Sequence, residues 1–133
     1  EVSGIYESAA WGFSSSHSFF NCCLAVTVGP STGPGDLMER LLEIEVQMGR
    51  VRERGDYSDR IIDIDLLMYG DRVLDLPGLT VPHPRMGDRR FVLVPLAEIA
   101  ADRIHPVNGR TIRNLLDSCP DRSELRLVRP APW

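Results

Sequence analysis

The stretch "RIIDIDLLMY", residues 60–69, decides how this chain is read. Ile61, Ile62, Ile64, Leu66, Leu67 and Met68 mark a strand made for burial, yet Asp63 and Asp65 stand two apart inside it. Side chains alternate along a strand. The two carboxylates therefore share one face, with Cβ atoms about 6–7 Å apart, while Ile62, Ile64 and Leu66 point to the other. Two like charges on a half-buried sheet repel, and each is costly to dehydrate, so they need a cation. Arginine is one candidate, and Arg50, Arg52, Arg54 and Arg60 lie just upstream. Mg²⁺ is the other, because it takes carboxylate oxygens and substrate phosphates together. Two acids at this spacing suit a pair of Mg²⁺ ions about 3.5–4 Å apart, as in phosphoryl transfer. The acid pair alone is equally at home on an ordinary exposed strand. The basic loop beside it turns the reading toward phosphate, for which arginine offers a forked donor.

Outward from this stretch, residues 19–28, "FFNCCLAVTV", read as a strand, and "GPSTGPG" as a turn. Asp36 reads as an N-cap with Glu39 three residues on, Leu37, Leu41, Ile44 and Met48 follow at helical spacing, and Gly49 closes the helix. "RVRERGDYSD" is a charged loop, and "DRVL" turns back antiparallel to 60–70. "LTVPHPRMGDRR" is a proline-broken loop, "FVLVPLAEIA" begins a short helix, "NGRTIRNLLDSC" forms another, and "ELRLVRP" is a closing strand. A first short strand precedes a Ser-rich loop holding Trp11 and Phe13. Helices and strands intermix without a βαβ repeat, which predicts an α+β layer with helices on one face of a sheet.

Other residues can serve the same chemistry. Glu45 borders the apolar stripe of the first helix, either as a solvated partner of Arg50 or Arg52 or as an acceptor inside a site. His83, stiffened between two prolines, is either a phosphate donor or a surface-loop histidine. Arg89 and Arg90 add possible phosphate contacts. Trp11, Phe13, Phe19 and Phe91 offer flat faces for a planar ring or pack a core, and Asn21 offers donors and an acceptor to a heterocycle edge. There is no G-x-x-x-x-G-K-[ST] and no H-R-D or D-F-G set, which excludes a P-loop enzyme and a protein kinase.

The 133 residues are read as one domain over 1–133, with 43% hydrophobic residues, enough for a core without staples. A net charge of −4 argues against a general nucleic-acid or membrane-surface binder. Cys22, Cys23 and Cys119 show no C-x-x-C spacing and read as reduced thiols of a cytoplasmic protein, a redox or metal role for the vicinal pair being the alternative. No apolar run reaches transmembrane length, and the first residues do not have the pattern of a signal peptide.

"RIIDIDLLMYG" followed by "LTVPHPRMGDRRFVLVPLAEIA" resembles the 6-hydroxymethyl-7,8-dihydropterin pyrophosphokinase family of folate biosynthesis. Its signature is met by Arg60, Asp63, Ile64, Asp65, Leu66 and Leu67, by "VPH" at 81–83, by Arg89 with Phe91, by "QMGRVR" at 47–52, and by "YESAAWGF" with "FFN". The resemblance implies Mg²⁺-dependent transfer of the terminal pyrophosphate of ATP to the pterin's hydroxymethyl group, leaving AMP. It implies a ferredoxin-like sandwich, an antiparallel sheet with helices packed on it. Asp63 and Asp65 would hold two Mg²⁺ ions, and Asp63, Asp65, Arg50 and Arg60 would be catalytic. Glu45, Arg52, Arg60, Ile64, His83 and Arg89 would fall on the ATP side. Trp11, Phe19, Asn21, Tyr57, Asp63 and Phe91 would fall on the pterin side. The loop at 51–60, with Gly55 as pivot, would close over ATP. Partners would be small molecules, with no nucleic acid and no membrane. By the resemblance, the family's N-terminal strand and helix are missing from this chain; the family implies a monomer, and a dimer through exposed edges is expected if that strand is truly absent. Two competing readings are another Mg²⁺-dependent nucleotidyl- or phosphotransferase, and a non-catalytic remnant acting as a binding or assembly domain.

Overall fold

The computed structural model describes residues 1–9, 17–50 and 61–133. Trp11, Phe13, Arg52, Arg54, Gly55, Tyr57 and Arg60 lie outside the described residues. Three strands form one antiparallel sheet. β1 (Ile5–Ser8) is central, with β2 (Phe19–Asn21) on one side and the C-terminal strand (Arg126–Arg129) on the other. Tyr6 faces Asn21 and Ser8 faces Phe19 across β1 and β2. Gly4 lets the C-terminal strand approach, because a Cβ there would lie 2.7 Å from Leu127 Cδ1 and 2.9 Å from the Arg129 carbonyl oxygen.

The apolar residues of 19–28 do not make one continuous strand. The ladder ends at Asn21 and resumes only as a Val2–Leu24 bridge. Between them the Cys23 N–H is taken by the Ser3 hydroxyl at 2.9 Å, so a side chain breaks the ladder.

Helix α1 (Pro34–Gln47) starts two residues before the expected cap. Pro34 sits in the first turn, where its missing N–H costs nothing. Asp36 is therefore the third helical residue, and its carboxylate reaches back to the Gly33 N–H at 2.9 Å. At the other end Gly49 adopts φ +95°, Gly49 N–H bonds the Val46 carbonyl at 3.0 Å, and Arg50 N–H bonds the Glu45 carbonyl at 3.0 Å. This paired closure is a Schellman turn, and it folds Arg50 back over Glu45.

The stretch 61–69 departs from expectation. It keeps the alternation of a strand, with Asp63 and Asp65 outward and Ile62, Ile64 and Leu66 inward, but it joins no ladder among the described residues. Its polar backbone goes elsewhere: Ile64 N–H to Glu45 Oε2 at 2.8 Å, and the Leu67 carbonyl to His83 N–H at 2.7 Å. Nor does "DRVL" pair with it. Leu74–Leu76 forms β3 and pairs with β4 (Leu79–Val81), where the prolines of 79–90 suggest only a loop. Pro77-Gly78 supplies the tight turn, with Gly78 at φ +76°, so the nearest partner wins.

Helix α2 (Arg90–Ala100) packs on the sheet, and α3 (Ile112–Asp117), capped by Thr111, packs on α2. Their apolar faces make the core: Val92, Leu93, Leu96, Ile112, Leu115 and Cys119, with Met86 and Cys23. Leu93 and Ile112 are fully buried, each contributing about 1.5–3 kcal/mol by removal from water. Leu67 and Met68 both pack against this cluster, so the alternation gives way there and the later part of the 61–69 stretch is anchored in the core. Glu98 of α2 ties the layers, accepting from Gly4 N–H at 3.0 Å and Tyr6 OH at 2.7 Å, and burial with this carboxylate pushes the Tyr6 phenol up to about 12. The class is α+β, with antiparallel sheets and three α-helices among the described residues. The C-terminal strand is β5 in chain order.

Candidate active site

Three elements meet along 61–69. The end of α1 brings Glu45 and Arg50, the loop after β4 brings His83, and the start of α2 brings Arg89 and Phe91.

At one end the charges close on each other. Glu45 is 1% exposed. Its carboxylate accepts from the Arg50 guanidinium and from Ile64 N–H. Arg50 Nη1 also reaches Asp63 Oδ1 at 3.0 Å. The Schellman turn makes this possible, because it places a guanidinium five residues on beside the carboxylate it must neutralise.

At the other end compensation is looser. Asp65 has Arg89 Nη1 at 3.7 Å. Burial and the like charge of Asp63 raise the Asp65 carboxyl above its usual value, and His83 and Arg89 only partly oppose this. His83 is pulled below its usual value by burial, against the attraction of Asp65. Its Nδ1 accepts from Arg85 N–H at 3.1 Å, which assigns the proton of the neutral ring to Nε2. Burial likewise works against the Arg89 charge, and the nearby Asp65 restores part of it. The Arg89 guanidinium lies 5.7 Å from the Phe91 ring centroid, within cation–π range.

The predicted residues Glu45, Arg50, Asp63, Ile64, Asp65, His83, Arg89 and Phe91 thus form one chain of contacts and fields. Phe19 and Asn21 sit on β2, and α2 packs on that strand as well. The Asn21 amide donates to Ser8 Oγ at 2.9 Å and toward the Tyr6 and Phe19 carbonyls. An open groove of about 700 Å³ lies beside β1, Arg90 and residues 122–126, and neither Asp63 nor Asp65 lines it. Ser8, Glu98 and Asp121 were not singled out from sequence. Asp121 Oδ2 accepts from Arg90 N–H at 3.0 Å, and only its Asp-x-Ser turn pattern could have drawn attention to it.

Among the described residues no three His, Cys, Asp or Glu side chains converge as a metal cluster. Asp63 and Asp65 nevertheless fit Mg²⁺. Their side chains are 51% and 35% exposed, they repel one another, and Mg²⁺ commonly rests on one or two carboxylates plus substrate phosphates. No helix among the described residues is long and apolar enough to cross a membrane.

Acids and guanidinium groups facing one another on an α+β scaffold define a site suited to a phosphate-bearing ligand. The family model for 7,8-dihydro-6-hydroxymethylpterin-pyrophosphokinase matches residues 1–101. The chain is 45% identical over 112 residues to the 2-amino-4-hydroxy-6-hydroxymethyldihydropteridine pyrophosphokinase of Synechocystis sp., covering 84% of this chain and 55% of that protein. It is 40% identical over 119 residues to the Pseudomonas aeruginosa protein of that name, covering 90% and 71%. It is 35% identical over 131 residues to the folic acid synthesis protein FOL1 of Dictyostelium discoideum, covering 98% of this chain and 20% of that protein. The chain belongs to the 7,8-dihydro-6-hydroxymethylpterin-pyrophosphokinase family. It spans about half the length of the Synechocystis relative.

Proposed function

We propose that this protein transfers pyrophosphate from ATP to the hydroxymethyl oxygen of 6-hydroxymethyl-7,8-dihydropterin, in folate synthesis. The observation that carries the reading is the incompletely neutralised Asp65, set between Asp63, His83 and Arg89 in a chain of this family. The pterin hydroxyl oxygen bonds to the β-phosphorus of ATP, the bond from that phosphorus to the α–β bridging oxygen breaks, AMP leaves, and the hydroxyl proton passes to solvent. Asp63 and Asp65 would hold two Mg²⁺ ions, which supply charge neutralisation of the polyphosphate and acidify the attacking hydroxyl. Arg50 and Arg89 steady phosphate oxygens, and neutral His83 donates its Nε2 proton to one of them. Glu45 works through Arg50 and the Ile64 backbone, whose positions it fixes. Phe91 and Phe19 stack the pterin, and Asn21 meets its edge. Arg52, Arg60, Trp11 and Tyr57 keep the roles that the resemblance implies. The sheet with α2 against it supports a ferredoxin-like arrangement, and a monomer acting on small molecules in the cytoplasm completes the reading. The names of several relatives favour this over another nucleotidyl- or phosphotransferase and over a non-catalytic remnant. The test is nucleotide analysis after incubation with ATP and the pterin, with and without Mg²⁺. AMP that requires both pterin and Mg²⁺ supports the reading, and ADP as the product sinks it.

A further inference from the structure

The first turn of α2 carries two residues of the proposed site, Arg89 as its N-cap and Phe91 as its second residue. Yet the turn is poorly finished from within. Arg89 gives no side-chain cap, no acidic residue lies in the first turn, and the Val92 and Leu93 N–H groups both bond the Arg89 carbonyl. The Arg90 N–H is met from far along the chain by Asp121 Oδ2, at 3.0 Å. Asp121 is itself fixed. Its Oδ1 accepts from Ser123 N–H at 3.0 Å and Ser123 Oγ at 2.5 Å. Burial alone would raise this carboxyl, but the bonds from Ser123 and Arg90 outweigh it and lower it, so the group is an anion at neutral pH. A carboxylate at a helix N-terminus satisfies an orphan donor and complements the dipole.

We infer that Asp121 is a positioning residue, which by holding the Arg90 N–H sets the flanking Arg89 and Phe91 in the geometry the transfer needs. The inference rests on the pyrophosphokinase reading. It gives the segment beyond residue 101, which the family match does not cover, a part in the site. A misplacement of such groups by a fraction of an ångström weakens binding without touching the substrates.

The test compares Asp121→Ala, Asp121→Asn and Ser123→Ala in the purified protein, reading KM for each substrate, kcat per folded molecule, and hydrogen exchange at the Arg90 and Phe91 amides. Asp121→Ala is expected to raise the pterin KM about tenfold and to speed exchange at Arg90, as loss of a cap does. Asp121→Asn, which keeps an oxygen acceptor, restores most of the loss, and Ser123→Ala falls between. Should Asp121→Ala fail to fold, the Asn and Ser123 variants carry the comparison. Unchanged KM in these variants, or a loss that follows only the folded fraction, overturns the inference alone. No AMP from the unsubstituted protein overturns the pyrophosphokinase reading and this role with it.

Discussion

Glu45 and Asp65 are carboxylates at the two ends of one contact chain, and they differ in how their charge is met. Glu45 is buried, with Arg50 and the Ile64 N–H drawn onto it. Asp65 is a third exposed, has its guanidinium at 3.7 Å, and carries an unfavourable field from Asp63. A charge closed off by its own chain holds structure together. A charge left partly uncompensated at a surface waits for something from outside. On the proposed function, the difference separates the scaffold of this site from the part that would meet ligand.

The largest effect expected from breaking the comparison is at Glu45. Glu45→Ala leaves Arg50, whose side chain is only 12% exposed, with Asp63 alone and the Ile64 N–H without its acceptor, and should cost about 3 kcal/mol in urea unfolding. A variant as stable as the parent would remove Glu45 from the scaffold. Next is Asp65→Asn, which should cut AMP formation about 100-fold or more while raising the melting temperature at pH 7. The sign follows from the raised carboxyl: a group of that kind favours the folded state below its unfolded value and loses that contribution as pH rises through the folded one. Mg²⁺ should raise the melting temperature of the parent but not of this variant; equal shifts would count against the metal assignment.

Gly4→Ala sharpens the contrast from a distance. Its Cβ would press on Leu127 and the Arg129 carbonyl, for a loss of about 1–3 kcal/mol in stability with kcat per folded molecule retained. The smallest effect concerns pH. His105 is buried, is held below its usual value, and accepts at Nδ1 from the Val107 and Asn108 N–H groups at 3.3 Å. Stability from such a lowered group is present above the unfolded value of 6.5 and fades as pH falls below it, and His83 acts in the same direction. Thermal melts between pH 7 and 5 should therefore slope less for His105→Gln. An identical slope would exclude His105 as a source.

What could be read from the residues was whatever depends on near neighbours. The α+β class and α1, α2 and α3 were legible from local sequence, α1 from its apolar spacing although its cap is Gly33 rather than Asp36, and the shared face of the acid pair followed from alternation. What could not be read depends on partners distant in sequence. Nothing in "RIIDIDLLMYG" says that Glu45 and His83 rather than a ladder would take its backbone. Ser3 interrupting the β2 ladder at Cys23 is equally invisible, as is Asp121 reaching Arg90 across 31 positions. Glu45 stood evenly between a wet edge and an interior role from spacing, and only the backward fold of Arg50 decided for the interior.

That backward fold has an evolutionary corollary. The five-step interval from Glu45 to Arg50 works as a gauge, because Arg50 lies past the helix end and the left-handed Gly49 alone turns it back. Chains descended from this one can exchange side chains between those two positions far more readily than they can gain or lose a residue, since a single insertion would break the paired closure at Gly49 that returns the guanidinium to the carboxylate.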